Sequence, residues 1–189
     1  MRARDNPFRA DRLHGLRYRA PGFRWPELLA RLDRQGGLGA IRGPEGSGKT
    51  TLLRELGERL GESGFDVRLL RPSLSDPQVA RQQVRDFTRR IDRHTALLLD
   101  GADRVGPIGW RLLRQGARRA GVLVVSTHRE GRLPTLHRCA TSAALLAELV
   151  GELLPVSARG VPGVGRLFER ERGDVRRALR SLYDRFAER

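Results

Sequence analysis

Short apolar runs alternate with helical stripes along the middle of the chain. Four segments of four to six residues are apolar or alternate apolar with polar positions, as buried strands do: 38–41, 66–71, 95–100 and 121–125. Between them, apolar residues recur every three or four positions, which predicts three helices: one after residue 49, one over 77–94 and one over 110–120. This alternation predicts an α/β fold, a three-layer sandwich whose parallel sheet is covered by helices on both faces.

The last quarter of the chain has helical periodicity without strand signals. One apolar stripe runs through residues 145–153 and a second through residues 175–186. Residues 155–165 are rich in Gly and Pro, which predicts a loop or linker between the two helices. We therefore expect three parts: an N-terminal arm and helix over 1–36, a central α/β core over 37–140 and a small helical lid over 141–189.

Composition narrows the class of protein. The chain has 189 residues and a single cysteine, Cys139, which excludes a disulfide framework. No apolar run is long enough to span a membrane and no signal peptide is recognised, so we expect a cytoplasmic protein. The net charge of +15 attracts polyanions such as nucleic acids. Only Lys49 is a lysine; such a preference for arginine is typical of a GC-rich genome, but it does not explain the shortage of acidic residues.

That one lysine lies in a glycine-rich segment with a specific pattern. Residues 43–51 fit the phosphate-binding pattern G-x-x-x-x-G-K-[ST], and the nucleotide-binding residues it predicts are Gly43, Glu45, Gly46, Ser47, Gly48, Lys49, Thr50 and Thr51. Glycines let successive backbone N–H groups converge on phosphate oxygens, and the following helix directs its positive dipole end at the same anion. The Lys49 ammonium would reach the β- and γ-phosphates, and the Thr50 hydroxyl would bind Mg²⁺. The sequence therefore predicts a nucleoside triphosphate site.

An acidic residue ends the third predicted strand. Asp100 follows four apolar or small residues and lies 51 positions after Lys49, which matches the Walker B pattern of a carboxylate that holds Mg²⁺ with Thr50. In ATPases of this broad class a glutamate that orients the attacking water commonly comes next, but here Gly101 occupies that position. Asp103 is the nearest candidate for a catalytic base, and a role in capping the turn is the alternative. The pattern thus favours nucleotide binding over fast hydrolysis.

Together these motifs resemble the AAA+ group of P-loop ATPases, nearest to its secretion and transposition-helper members and its clamp loaders. The resemblance implies that Ser126 and Thr127 correspond to sensor 1, which hydrogen-bonds the attacking water or the γ-phosphate. It implies that residues 173–179 form the sensor 2 helix, from which Arg176 would reach the γ-phosphate. Residues 6–8 are similar to a segment that, in that group, lies against the base of the bound nucleotide. Residues 136–139 resemble the clamp-loader box, which implies that Arg138 is an arginine finger.

Two rows of arginines are the candidates for contact with nucleic acid. Arg81, Arg85, Arg89 and Arg93 recur every fourth residue on the helix predicted over 77–94, on a side away from its apolar stripe. A second row occupies the next helix: Arg111, Arg114 and Arg118. Both rows can follow phosphates, although solvated helix faces in an arginine-rich chain are the alternative. No aromatic residues alternate with these arginines, so base stacking is not expected.

These features predict an ATP-binding protein that acts as a slow Mg²⁺-dependent ATPase or nucleotide-dependent switch on a macromolecular partner, such as DNA. Adenine is favoured over guanine because the chain lacks an Asn-Lys-x-Asp motif. A small-molecule or nucleotide kinase is one alternative, although 42 residues precede the loop here. A non-catalytic, ATP-loaded adaptor is another, since Gly101 stands where a glutamate is expected. The resemblance also implies that the protein can form homo-oligomers, which are common in that group.

Overall fold

A parallel sheet organises the middle of the chain in this structure, a computed structural model that describes residues 6–72, 77–154 and 163–187. Within these residues the sheet has five strands, in the spatial order β2-β3-β4-β1-β5, and every neighbouring pair is parallel. The strands are β1 (Leu38–Arg42), β2 (Asp66–Leu70), β3 (Thr95–Asp100), β4 (Val122–Thr127) and β5 (Thr135–Arg138). Every residue of β3 and β4 is buried, as expected for central strands that are covered on both faces.

The described residues also form eight α-helices. They are α1 (Ala10–Gly15), α2 (Trp25–Arg34), α3 (Lys49–Glu62), α4 (Pro77–Phe87), α5 (Pro107–Gly116), α6 (Ala143–Leu153), α7 (Val164–Arg170) and α8 (Val175–Ala187). By its contacts the chain divides into two compact units. The sheet unit comprises Gly22–Gly43 and Lys49–Arg138, and the helical unit comprises Met1–Pro21, Pro44–Gly48 and Cys139–Arg189.

Helices cover both faces of the sheet. On one face, α3 approaches closely enough that a Cβ atom at Gly57 would lie 2.9 Å from the Leu98 side chain. On the other face, Val84 of α4 and Leu113 of α5 belong to one buried cluster with Leu97 and Leu99. Successive strand residues point to opposite faces, so Leu98 and its two neighbours contact different helices. The α/β class with a parallel sheet is thus confirmed, and the layers are consistent with a three-layer sandwich.

The connection that leaves β1 crosses the sheet in the opposite direction to the connections that leave β2 and β3, which is a reversal of strand order. The connection from β1 to β2 crosses β4 and β3 and contains α3, whereas the connections from β2 to β3 and from β3 to β4 return toward β1 through α4 and α5. Right-handed crossovers that run in opposite directions place their helices on opposite faces, as observed. Ligands of open α/β sheets bind beyond the carboxyl ends of the strands at such a reversal. The reversal therefore directs attention to the residues that follow β1, β3 and β4.

The helical unit has its own hydrophobic core. Phe8, Leu146, Leu167 and Leu182 are buried in one cluster, to which α6, α7 and α8 all contribute. The side chain of Ser142 caps α6 by accepting a hydrogen bond from the backbone N–H of Leu145 at 3.1 Å. The two helices predicted from the periodicity of residues 145–153 and 175–186 are both present. The loop predicted over 155–165 lies mostly outside the described residues, because 155–162 are not described.

The helix predicted over 77–94 is shorter than expected, because α4 ends at Phe87. The Thr88 hydroxyl donates to the Val84 carbonyl at 2.9 Å, and such a local bond competes with continued helix. Arg90 then adopts a left-handed backbone conformation (φ 49°), and the Arg68 guanidinium on β2 binds the carbonyls of Arg89 and Arg90. Arg89 and Arg93 therefore lie beyond the helix, and the prediction of a four-arginine row along it was wrong for these two residues.

Two further elements differ from the sequence predictions. The helix predicted over 110–120 begins at Pro107, a residue preorganised for a first helical turn, and ends at Gly116 before one turn of 3-10 helix over Ala117–Arg119. Strand β5 was not predicted, because only Leu136 of its four residues is fully buried and the strand pairs with β1 alone. None of the helices in the described part of the chain is both long and apolar enough to cross a membrane.

Candidate functional site

The predicted phosphate-binding lysine begins the helix that follows β1. Lys49 is the first residue of α3, and its Nζ donates a hydrogen bond to the Gly43 carbonyl at 2.8 Å. The first turn of α3 contains no acidic residue, so its N-terminal dipole is not neutralised by a side chain of its own. Thr50 and Thr51 follow in that turn and are half-buried. A compact ammonium and the positive end of a fourteen-residue helix therefore lie together beyond the carboxyl end of β1.

Asp100 and Thr50, the predicted Mg²⁺ ligands, are in direct contact. The Thr50 hydroxyl lies 3.0 Å and 3.1 Å from the two carboxylate oxygens of Asp100. Ser126 lies near the end of β4, the strand between β3 and β1. Its hydroxyl donates to Asp100 Oδ1 at 2.7 Å and accepts from the Gly101 N–H at 2.8 Å. Arg71 Nε lies 3.8 Å from Asp100 Oδ2, and the carboxylate is almost completely buried. The structure thus brings together oxygen ligands that the sequence places 50 residues apart.

These ligands fit a magnesium ion chemically. Mg²⁺ is commonly bound by one or two protein oxygens together with phosphate oxygens and waters, and Asp100 and Thr50 supply one carboxylate and one hydroxyl. A cage of protein ligands is a different kind of site, and within the described residues no group of three or more His, Cys, Asp or Glu side chains is placed to form one. The arrangement therefore suits a metal that is shared with a bound phosphate.

A backbone conformation explains the residue that follows Asp100. Gly101 has φ 94°, in the left-handed region that side chains other than glycine rarely adopt. A Cβ atom there would also lie 3.0 Å from the Arg104 side chain. The expected glutamate could occupy this position only with backbone strain and displacement of Arg104. The chain at the end of β3 is therefore built for a tight turn rather than for a base at that position.

Asp103, the alternative candidate base, is held by the next strand. Its Oδ1 accepts from the Thr127 hydroxyl at 2.8 Å and its Oδ2 from the His128 N–H at 2.7 Å. Burial alone would raise the pKa of Asp103, but these two hydrogen bonds and the charges of His128 and Arg129 hold it below its ordinary value. The carboxylate is thus ionised and joins the turn after β3 to the end of β4. Thr127, the predicted sensor 1 residue, is buried and contacts Asp103.

We expect Asp103→Asn to lower the free energy of unfolding at pH 7 by about 1–2 kcal/mol, because an amide cannot accept both hydrogen bonds. A carboxylate whose folded pKa is depressed stabilises the protein above its unfolded pKa, about 3.9, and loses that contribution as the pH falls through the folded value. The difference between the two proteins should therefore shrink below about pH 4. Urea unfolding at pH 7 and pH 3 measures it; an equal difference at both values would contradict the assignment.

Arg132 supports the turn that carries Asp103, a role that no sequence pattern predicted. Its guanidinium donates to the carbonyls of Ala102 and Val105 at 2.7 Å and 2.8 Å, and it lies 4.8 Å above the Trp110 ring. These bonds hold the short 3-10 helix, Ala102–Arg104, that carries Asp103. No motif marks Arg132, because its partners are backbone atoms about 30 residues earlier in the chain.

The tip of the glycine-rich loop belongs to the helical unit. A Cβ atom at Gly46 (φ 70°) would lie 2.1 Å from Asp174 Oδ1, so only glycine fits there. Asp174 also caps α8 by accepting from the Arg177 N–H at 3.0 Å. The other loop residues have partners in the same unit: Glu45 faces Arg177 at 3.9 Å, Ser47 donates to the Pro44 carbonyl at 2.8 Å, and Gly48 (φ 83°) approaches the Tyr18 ring. Asp174 and Arg177, an acidic and a basic residue at the start of α8, thus lie against the tip of the glycine-rich loop.

Several other predicted residues have definite positions. Arg176 is exposed on the first turn of α8, and the α8 residue that lies beside the loop is Arg177. Asn6 Nδ2 donates to the Tyr183 carbonyl at 2.8 Å, and the Phe8 ring packs edge-on against Phe186 at 5.2 Å. Arg138 ends β5 and forms an ion pair with Glu130 at 2.6 Å, which lowers the pKa of that glutamate. The roles predicted for Arg176 and Arg138 stay predictions.

The sheet unit therefore places an ammonium group, a hydroxyl and a buried carboxylate where a parallel sheet of this topology binds ligands. This set can hold an anion through Lys49 and the α3 terminus, and a divalent cation through Thr50 and Asp100. A scan against models of known protein families finds no match to this chain, and a search of curated proteins finds no similar protein.

Proposed function

We propose that this protein binds ATP together with Mg²⁺ in a P-loop fold of the AAA+ type, and acts as a slow ATPase or nucleotide-dependent switch on a macromolecular partner. The observation that carries the proposal is the contact between Thr50 and Asp100 at 3.0 Å, one residue away from Lys49. A protein that binds a nucleoside triphosphate needs a cation for the phosphates and oxygen ligands for the accompanying Mg²⁺. In this sequence, the lysine motif and the Thr50–Asp100 pair are two independent features that meet these two needs.

The role of each side chain follows from its chemistry. The Lys49 ammonium would exchange its bond to the Gly43 carbonyl for phosphate oxygens, and the backbone amides of the first turn of α3 would add neutral donors. Thr50 and Asp100 would hold Mg²⁺, which would neutralise part of the negative charge of a bound triphosphate. Ser126 holds Asp100 in place by donating to Oδ1 at 2.7 Å, so this carboxylate is oriented before any ligand arrives. A preoriented carboxylate loses less conformational freedom on binding.

Hydrolysis is proposed to be slow because, in the described turn that follows Asp100, neither position 101 nor Asp103 offers a free carboxylate as a base. The Gly101 turn excludes a glutamate, and both oxygens of Asp103 accept hydrogen bonds from β4 and the residue after it. A carboxylate with a depressed pKa is also a weak acceptor for the proton of a water. The same observation favours a second candidate, an adaptor that retains ATP without turning it over.

One experiment separates these functions. Purified protein is incubated with Mg²⁺ and labelled ATP, and bound nucleotide, released phosphate and phosphoryl transfer to nucleosides or nucleoside monophosphates are followed together. We expect Mg²⁺-dependent binding and phosphate release well below about 1 s⁻¹, under the usual enzyme range. Bound ATP that stays intact would identify the adaptor, and transfer to an acceptor would identify a kinase. A protein that binds no ATP at any Mg²⁺ concentration would refute the proposal.

A further inference from the structure

A cavity lined by arginines lies on the sheet unit away from the nucleotide site. It measures about 570 Å³ and is bordered by the arginines of α5 and its 3-10 extension, Arg111, Arg114 and Arg118. Leu38 and Leu123, near the starts of β1 and β4, form part of its apolar lining. We call this surface the α5 pocket. It lies at the amino ends of those strands, whereas Lys49 and Asp100 follow the carboxyl ends of β1 and β3.

The three arginines share one side of their helix. Their spacing of three and four residues places them on one stripe, while Leu113 points into the core between the layers. All three are exposed, as the sequence predicts for this row. The neighbouring helix α4, which packs beside α5, presents Arg81 and Arg85 to solvent as well. Arg81 and Arg85 thus add exposed positive charge on the same face of the sheet as α5.

These arginines differ from others in the molecule by their lack of acidic neighbours. Arg68 pairs with Asp66, Arg138 with Glu130 and Arg170 with Glu171 at distances of 2.6–3.1 Å. No acidic residue borders the α5 pocket, and in the part of the chain that the structure describes none of its three arginines has an ion-pair partner. Their positive charges are uncompensated within that part, so the pocket attracts anions from solution.

We propose that the α5 pocket binds the phosphate backbone of double-stranded nucleic acid without sequence preference. Guanidinium groups form paired hydrogen bonds with phosphate oxygens, and three on one stripe can follow successive phosphates. The pocket is lined by no aromatic residue, so the stacking that single-stranded bases require is not provided. Because it lies at the opposite edge of the sheet from Lys49, duplex and nucleotide can be bound together. This inference does not depend on ATP binding.

The test is the affinity for a labelled 30-base-pair DNA duplex, followed by fluorescence anisotropy between 50 and 300 mM salt. We expect the triple substitution Arg111→Gln, Arg114→Gln, Arg118→Gln to weaken binding at least about tenfold at 100 mM salt, and to reduce the slope of log K against log salt by up to about 3. The matched control, Arg12→Gln, Arg166→Gln, Arg180→Gln, removes the same charge from exposed positions of the helical unit and should weaken binding less than about threefold.

Several outcomes would overturn the inference. Equal losses in the two triple variants would show that net charge alone attracts DNA, and no duplex binding at 50 mM salt would remove the site. Tighter binding of a single strand of equal length, or binding of poly-glutamate without duplex, would point to another partner. Circular dichroism checks folding, and Arg114→Gln alone replaces the triple variant if that fails to fold. Lys49→Ala should retain duplex binding, so a failed nucleotide proposal is distinguishable from a failed pocket.

Discussion

Replacing Lys49 by alanine is expected to weaken the binding of Mg-ATP by about 100-fold or more. The ammonium is the one cationic side chain in the glycine-rich loop, and charge-assisted hydrogen bonds to two phosphates contribute roughly 3 kcal/mol or more together. Each 1.4 kcal/mol corresponds to about a tenfold change in affinity. Isothermal titration of the purified variant with ATP in excess Mg²⁺ measures the change directly.

Lys49→Arg is the informative control for this variant. It keeps the charge, but a planar guanidinium is bulkier than the ammonium that lies 2.8 Å from the Gly43 carbonyl. We expect it to bind ATP at least about tenfold more weakly than the native protein, because charge without the compact shape does not fit the loop. Thermal unfolding of both variants checks that the start of α3 is intact. Native affinity in Lys49→Ala would refute the nucleotide site, and native affinity in Lys49→Arg would show that shape is unimportant.

The strands of the sheet could be predicted from the sequence where burial on both faces determines which residues they contain. Strands β3 and β4 are buried at every position, so their sequences are almost continuously apolar and cannot be mistaken for surface helices. The end of α4 depends instead on a distant residue, since Arg68 of β2 binds the carbonyls that follow the helix. Edge strand β5 needs only one buried side chain, Leu136, and so carries little apolar signal. Tertiary contacts thus decided the elements that periodicity missed.

The candidate site divides in the same way. Lys49 and Thr50 are recognisable because a phosphate-binding loop fixes their spacing along the chain, and Asp100 because it ends a buried strand. Their meeting depends on strand order, since β4 separates β3 from β1, and this places Ser126 beside Asp100. The contact of Asp174 with Gly46 joins residues that no local pattern connects. The sequence therefore predicts which groups would bind a ligand, whereas the structure shows which groups hold those side chains in place.

Asp100→Asn should remove most of the Mg²⁺ dependence of ATP binding while leaving metal-free ATP binding nearly unchanged. The amide keeps the shape of the side chain and can still bond to the hydroxyls of Thr50 and Ser126, but it lacks the charge that a hard divalent cation requires. We expect the affinity gained on adding Mg²⁺ to fall by about tenfold or more, which corresponds to the loss of one charged ligand. Titrations with ATP in EDTA and in excess Mg²⁺ give both values for each protein.

Ser126→Ala is the matched control, because it removes an uncharged donor from the same carboxylate and leaves the charge of Asp100. The hydroxyl orients Asp100 at 2.7 Å, so its loss should weaken Mg²⁺-dependent binding by only a few-fold, consistent with about 1 kcal/mol for one hydrogen bond. A larger effect of Asp100→Asn than of Ser126→Ala separates metal binding from positioning. Asp100→Asn with undiminished Mg²⁺ dependence would mean that another group holds the metal, and the contact with Thr50 would then serve only to join α3 to the end of β3.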